Sequence, residues 1–227
     1  MRGQKNPFFI MLTKSAHEPD MPALPEGAVL YREYLNAAAR RQLMDEIAHI
    51  LQKAPLFTPR MPRTGRSFSV RMSNAGSLGW VSDKERGYRY EPCHPRNGRP
   101  WPAMPRMLLE LWRELTDYAA PPQAALINYY APGARLGLHV DRDEEALNAP
   151  LVSVSLGAVA RFRLGGRRRR DPTISFELRA GDVLVLSGPA RLLYHGVERI
   201  YPQRGEALPK SIGPGRINIT LRRVTRP

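Results

Sequence analysis

Arg216-Ile217-Asn218-Ile219-Thr220-Leu221-Arg222, close to the C-terminus, alternates polar and apolar side chains without interruption. Successive side chains of a strand point to opposite faces, so a period of two reads as a half-buried β-strand. Ile217, Ile219 and Leu221 then face a core, and Arg216, Asn218, Thr220 and Arg222 share the other side. Two guanidinium groups on one face admit two readings. At a sheet edge both are solvated. Inside a small β-domain each unpaired charge is costly to bury and needs a fixed anion. A dicarboxylate answers both, because the guanidinium fork matches a carboxylate with two parallel hydrogen bonds.

Working outward from this strand, apolar runs recur after Pro122: Ala124–Tyr130, Leu136–Val140, Leu151–Leu156, Ala160–Leu164, Ile174–Leu178, Val183–Leu186 and Ile217–Leu221. Gly133, Gly157, Gly165-Gly166, Gly181 and Gly188 supply breaks between them. Short strands at this spacing predict a sandwich, barrel or jelly roll. Upstream, Asn36 caps a helix reaching Lys53, with Leu43, Ile47, Ile50 and Leu51 on one face. A second helix runs from about Pro105 to Tyr118, with Leu108, Leu111, Trp112 and Leu115 on one face and Pro121-Pro122 ending it. Between the helices, Thr58–Met104 is rich in proline, glycine, arginine and aromatics. Phe68-Ser-Val-Arg-Met72 alternates like a short strand, and the rest reads as turns and short hairpins. The chain therefore divides into a basic, disordered or loosely docked arm over 1–24, an N-terminal extension over 25–120 and a β core over 121–227.

The 227 residues carry 42% hydrophobic and 25% charged side chains, the profile of a soluble globular chain. No run approaches the roughly 18 apolar residues of a membrane-spanning helix, so no membrane role is expected. One cysteine, Cys93, excludes an intramolecular disulfide framework and a multi-cysteine zinc ribbon, and fits a reducing cytoplasm. Thirty-five Lys and Arg against 21 Asp and Glu give a net charge of +14. Such an excess is the footprint of nucleic-acid binding, although a well-solvated surface gives the same number.

Among the five histidines, His139 and His195 lie in the β region. His139 and Asp141 are two apart, which on a strand directs both to one face. His195 follows Asp141 by 54 residues. Two histidines and a carboxylate form the facial triad that holds non-haem Fe(II) with one side left open. The competing reading is a chance His-x-Asp with hydrogen-bonded core histidines. One strand earlier, Asn128 and Tyr130 share a face and can donate hydrogen bonds to a carboxylate; Tyr130 alone is also ordinary strand filling. Arg167–Arg170 occupy a hairpin loop after Gly165-Gly166, with Arg161 and Arg163 two apart on the preceding strand. These arginines either grip phosphates or form a solvated loop. Trp80, Tyr88, Tyr90 and Trp101 punctuate the basic segment, where an aromatic stacks on a base for about 1–3 kcal/mol. Trp101, in a proline-rich turn, reads instead as the anchor of a small core.

The order and spacing of several motifs resemble the AlkB family of Fe(II)- and 2-oxoglutarate-dependent dioxygenases. They are Asn128-x-Tyr130-Ala-Pro-Gly-Ala134, Leu138-His139-Val-Asp141-Arg-Asp143-Glu144, Pro150-Leu-Val-Ser-Val-Ser-Leu-Gly157, Ala180-Gly-Asp-Val183, Arg191-Leu-Leu-Tyr-His195-Gly196 and the alternation from Arg216 to Arg222. Gly79-Trp80, Gly87-Tyr88-x-Tyr90 and Pro100-Trp101-Pro-Ala-Met-Pro105 resemble the bacterial alkylated-DNA repair branch. The resemblance spans roughly Pro22 to Arg222. It implies an α+β, mainly β fold: a double-stranded β-helix, or jelly roll, with an N-terminal helical and hairpin lid that recognises the nucleotide.

The same resemblance implies that His139, Asp141 and His195 bind Fe(II). Arg216, helped by Tyr130, would hold the far carboxylate of 2-oxoglutarate. Arg222 and Asn128 would contact its iron-chelating end, with Asn218 close by. Trp80 would stack on the damaged base opposite His139, Asp143 and Arg169 would lie near that base, and Tyr88 near the nucleotide backbone. The implied reaction is oxidative demethylation of N-alkylated bases such as 1-methyladenine and 3-methylcytosine in DNA, with RNA a further substrate, by a monomer. It consumes O₂ and 2-oxoglutarate and releases succinate, CO₂ and formaldehyde. A base in a duplex must be flipped out first, so single strands are the easier substrate. The chain departs from the family pattern in its arm before Pro22, in a longer and more charged Val81–Arg86 and in a denser arginine run; these bear on the polymer and lesion, not on the iron. Two other readings are an Fe(II)/2-oxoglutarate hydroxylase or demethylase of a protein, lipid or small molecule, and a catalytically silent nucleic-acid-binding jelly roll. The basic, aromatic lid argues against the first. Intact His139, Asp141, His195, Arg216 and Arg222 argue against the second.

Overall fold

The structure is a computed structural model that describes residues 21–227; the arm read over 1–24 lies outside the described residues except for its last four. In chain order the elements are β1 (Ala28–Tyr31), α1 (Ala37–Lys53), β2 (Arg71–Gly76), β3 (Gly79–Asp83), β4 (Gly87–Glu91), α2 (Arg106–Leu115), β5 (Ala124–Tyr130), β6 (Leu136–His139), β7 (Leu151–Leu164), β8 (Ile174–Leu178), β9 (Val183–Leu186), β10 (His195–Gly205) and β11 (Arg216–Arg222).

β7 organises the molecule. Its first half pairs with β11 on one side and β9 on the other, and its second half pairs with β10 and β8. One strand therefore belongs to two antiparallel sheets. The larger runs β1-β9-β7-β11-β5-β2; the smaller is completed by β6, which pairs with β10. Leu126, Tyr130, Leu184 and Leu186 of the larger sheet share one apolar cluster with Phe162, Phe176, Val197 and Ile200 of the smaller, so the two faces close on each other as a jelly roll.

The two strands predicted over Leu151–Leu156 and Ala160–Leu164 are a single strand in the structure. Gly157 is the bend between its halves, with φ 82°. A Cβ there would sit 2.7 Å from the Gly215 carbonyl oxygen, so glycine lets the strand turn against a close neighbour. The apolar runs also passed over β1 and β10. In β10, Val197 and Ile200 point inward across a register shift while Glu198 and Arg199 are exposed, which hides the period of two. α1 forms as read, and the Asn36 side chain accepts from the Ala39 amide at 2.9 Å. α2 ends earlier than expected. Thr116 is already extended, so Pro121-Pro122 do not terminate it. Of Phe68–Met72, only Arg71 and Met72 enter a strand.

The helices cover the outer face of the larger sheet. Leu43, Ile47, Leu108, Leu111 and Trp112 pack with Ile127, Val154, Ile217, Ile219 and Leu221, and each such buried aliphatic contributes about 1.5–3 kcal/mol. Burying the apolar side of β11 against helices leaves its polar side only the jelly-roll interior. Neither described helix is long and apolar enough to cross a membrane. The β3–β4 hairpin is a two-stranded sheet of its own, tied to β2 by the Asn74 side chain, which accepts from the Trp80 amide at 3.0 Å and donates to its carbonyl at 3.1 Å, and backed by Trp101. That ring is 5% exposed, its Nε1 donates to the Glu91 carbonyl at 2.8 Å, and a Cβ on Gly79 would sit 2.4 Å from it. Trp101 is thus the small-core anchor that its proline-rich context suggested.

Candidate active site

A cavity of about 570 Å³ opens inside the jelly roll beneath the β3–β4 hairpin. His139, Asp141, His195, Asn128, Tyr130, Arg216, Asn218, Arg222, Trp80, Tyr88, Asp143 and Arg169 all line it. The structure thus brings every site residue read from the sequence to one place.

At the smaller sheet, register sets His195 of β10 opposite His139 of β6. Their ring centroids are 4.6 Å apart. Asp141 lies just past the end of β6, with its oxygens 3.6 Å from His139 Nε2 and 3.5 Å from His195 Nε2. One ligand atom from each residue falls within 4.8 Å of the others. His139 Nδ1 lies 2.9 Å from the Gly137 carbonyl oxygen, and His195 Nδ1 lies 3.0 Å from that of Leu193. A carbonyl only accepts, so each Nδ1 carries the proton and each Nε2 turns its lone pair toward Asp141, as metal-binding imidazoles require. Burial, reinforced by neighbouring His195, lowers the His139 pKa to about 4 and keeps the ring neutral. Burial alone would raise Asp141, but the Arg222 guanidinium beside it holds it well below the usual carboxylate range.

Behind this triad lies a charge network. Arg222 Nη2 donates to Asp141 at 2.7 Å, and its Nη1 donates to Glu144 at 2.6 Å. Glu144 also accepts from Arg191 Nη2 at 3.1 Å and from the Tyr90 hydroxyl. Arg191 is fixed in turn by the carbonyls of Asp141 and Ala149, at 2.6 and 2.8 Å. Arg222 therefore differs from the expectation that both arginines of β11 await an anion: the protein supplies two carboxylates to it. Its Nε alone stays buried without a partner. Glu144, Arg191 and Tyr90 belong to the quoted motifs, but no local pattern marks them as partners of Arg222 and Asp141. The signal that finds them is arithmetic: a buried Arg222 needs counter-charge, and Glu144 follows Asp141 by three residues.

Six residues before Arg222, Arg216 is fully buried. It donates to the Ser155 hydroxyl at 2.7 Å and to the carbonyls of Ala158 and Leu178 at 3.2 and 3.3 Å. No carboxylate of the described residues is within ion-pair reach of it, and its Nε has no partner. Burial lowers its pKa to about 10. Tyr130 is its register partner on β5, with burial pushing the phenol far above its ordinary value. Asn128 and Asn218 are likewise opposite each other, joined at 3.4 Å, and the Asn128 Oδ1 is buried without a partner. A buried cation among hydroxyls and amides, beside a His-Asp-His cluster, fits a small dicarboxylate that also reaches the metal.

On the hairpin side, Trp80 stacks on Tyr88 with centroids 5.5 Å apart and planes at 27°. Its Nε1 donates to Asp143 at 2.8 Å, and burial raises the Asp143 pKa. Tyr88 is 47% exposed, and Arg169 reaches the rim from the β7–β8 loop.

Residues 27–222 match the family model described as the 2OG-Fe(II) oxygenase superfamily. A Caulobacter vibrioides protein named alpha-ketoglutarate-dependent dioxygenase AlkB homolog is 50% identical over 83% of this chain and 84% of its own. The Escherichia coli protein named alpha-ketoglutarate-dependent dioxygenase AlkB is 43% identical over 80% of this chain and 84% of its own. The solved structure of OsALKBH1 superposes with a TM-score of 0.70 at 28% identity, covering 89% of this chain and 99% of that one. With the His-Asp-His cluster and the buried Arg216 already in place, these likenesses close the question of kinship: the chain belongs to the AlkB family of Fe(II)- and 2-oxoglutarate-dependent dioxygenases.

Proposed function

We propose that this dioxygenase is a cytoplasmic, monomeric demethylase that reverses N-alkylation of bases such as 1-methyladenine and 3-methylcytosine in DNA, preferring single strands, with RNA a further substrate. The observation that carries the reading is the convergence, in one cavity, of a metal-ligand triad, a buried arginine with no carboxylate of the described residues in ion-pair reach and a stacked aromatic pair on a hairpin of a basic chain. Residues 121–227 form the catalytic core in this reading, and 25–120 the recognition lid.

His139, Asp141 and His195 would hold Fe(II), which together with 2-oxoglutarate supplies the activation of O₂. Arg216 with Tyr130 would take the far carboxylate of 2-oxoglutarate, and Asn128, Asn218 and the Nε of Arg222 its other end. Arg222, Glu144 and Arg191 hold the Asp141 carboxylate in place and ionised. Trp80 and Tyr88 offer ring surface to a flipped base, since stacking accepts any base at about 1–3 kcal/mol. Asp143, positioned by Trp80 at 2.8 Å, would hydrogen-bond the exocyclic edge of a base. Arg169 adds positive charge at the rim for the nucleotide backbone.

The decisive experiment is an anaerobic titration with Fe(II) and 2-oxoglutarate, followed by turnover on oligonucleotides carrying 1-methyladenine or 3-methylcytosine. Formaldehyde release with restoration of the base is expected. Cofactor binding without formaldehyde from either lesion overturns the demethylase reading.

A further inference from the structure

We infer that the outer face of the smaller sheet is a second nucleic-acid surface, which grips the strand flanking the base held in the cavity. This rests on the demethylase reading and extends it to the polymer around the lesion. Along the second half of β7, Ala160, Phe162 and Leu164 are buried, which turns Arg161 and Arg163 outward. Register with β10 sets Arg199 directly opposite Arg161, and Gly196 opposite Arg163. Like charges facing each other across two strands are destabilising, and the sheet does not neutralise them. Arg161 Nε donates to the Tyr201 hydroxyl at 3.1 Å, and Arg163 donates to the Thr173 hydroxyl at 2.8 and 3.2 Å. The Arg199 guanidinium lies 5.3 Å from the Tyr201 ring centroid. None of the three has a carboxylate of the described residues within ion-pair reach. Glu177, on the other side of Arg161, is occupied by both Nη atoms of Arg204 at 2.7 Å. Hydroxyls and an aromatic ring therefore fix these cations in place, and Glu177, which offsets part of the Arg161 charge, is shared with Arg204 and Arg179.

The surface is continuous with the cavity. β7 ends at Leu164, the register partner of His195, and the exposed Arg167–Arg170 loop that follows sends Arg169 to the cavity rim. An anionic polymer entering the cavity at one residue finds the next cations along this sheet. Arginine forks suit its phosphates and carry no base preference. A membrane surface fits less well, because lipid binding also calls for apolar side chains to insert. Among the described residues, the exposed large apolar side chains Met61, Tyr88, Leu147 and Leu192 all lie off this sheet face.

The test compares the parent with Arg161→Ser/Arg163→Ser/Arg199→Ser, using a methylated trinucleotide and a single strand of about twenty nucleotides, long enough to offer each arginine a phosphate. Each lost phosphate contact lowers the slope of log affinity against log salt by about 0.7 for single strands, so the triple variant should lose about 2 in slope on the long strand. Its affinity for the long strand should fall about tenfold or more at low salt, with trinucleotide kcat and KM unchanged. The triple lysine variant, which keeps the charge, should keep the parental slope. An unchanged slope in the serine variant overturns the proposal. So does an equal loss in the lysine variant, which assigns the effect to packing around Tyr201, and so does binding to phosphatidylserine vesicles in place of the oligonucleotide. Failure of the parent to demethylate the trinucleotide counts against the demethylase reading instead; the binding measurement needs no turnover and decides the surface separately.

Discussion

At one end of β11, Arg222 sits between Asp141 and Glu144, 2.7 and 2.6 Å from their oxygens; at the other end, on the same buried face, Arg216 finds only a serine hydroxyl and two backbone carbonyls. The two guanidinium groups respond in opposite directions. Burial opposes the charge of both, but two carboxylates push Arg222 well above its ordinary pKa, while Arg216 falls to about 10. At the Arg222 end the counter-charge is part of the fold, so this arginine stabilises the protein and orients a metal ligand. At the Arg216 end no carboxylate of the described residues lies within ion-pair reach and Asp182 acts only from farther away, so the proposal that this arginine takes an anion from outside can be tested on stability.

The largest effect should come from the residue that both the metal and Arg222 use. Asp141→Ala should lower demethylation more than about 1000-fold, beyond the 10–100-fold typical of an outer-shell partner. Formaldehyde release measures it, and activity retained within tenfold would remove Asp141 from the triad. The next two predictions set the ends of β11 against each other. Arg222→Met leaves two buried carboxylates facing each other and should cost about 3–5 kcal/mol in chemical denaturation. Arg216→Met removes a buried charge that no ion pair of the described residues balances, so stability without ligand should hold or rise, by up to about 4 kcal/mol. In the parent, 2-oxoglutarate at a hundredfold excess over Kd should add about 2.7 kcal/mol; in Arg216→Met that gain should vanish. Equal destabilisation by the two substitutions would break the comparison. The pH dependence has a definite sign as well. Asp141 and Glu144 are held below their ordinary values, so their contribution is complete above about pH 4.5, and it is lost as pH falls through the lowered folded values.

The same comparison shows why the sequence revealed some of this and not the rest. The seven residues of β11 carry their own alternation, so the strand, its buried apolar side and the two arginines on one face were legible without any partner. His139 and Asp141 were legible for the same reason, being two residues apart. The partners of Arg222 and Arg216 were not, because they depend on which strands become neighbours. Glu144 meets Arg222 across 78 residues, and Ser155 meets Arg216 across 61. β5, β8 and β9 form where their local apolar runs predict them, whereas the local alternation of Phe68–Met72 does not make a strand over its length. β7 was divided because Gly157 marks turns in most contexts, and only the pairing of its two halves with different strands shows one element serving two sheets. β10 has no apolar run to find, since its outer face carries charge and its inner face is interrupted by a register shift.

Two tyrosines of one hairpin offer the finest division between fold-supplied and ligand-supplied contacts. Tyr88 and Tyr90 share a face of β4. Tyr90 reaches inward and donates to Glu144, joining the hairpin to the network that holds Asp141. Tyr90→Phe removes a donor from a carboxylate still bound by Arg222 and Arg191, so a cost of about 1–3 kcal/mol is expected, read as a fall in kcat and in metal affinity with KM for the oligonucleotide little changed. Tyr88 is 47% exposed, touches no member of that network and presents its ring beside Trp80. Removing it costs the folded protein little, since half its surface is already in water. It takes away part of the ring surface against which a base or sugar would rest, worth about 0.5–1.5 kcal/mol for an aromatic pair. Tyr88→Ala should therefore raise KM for the methylated oligonucleotide by roughly two- to tenfold, with kcat, metal affinity and melting temperature within error of the parent. A fall in kcat without a change in KM would instead place Tyr88 with Tyr90 on the side of the fold, and the hairpin would then serve the metal centre alone.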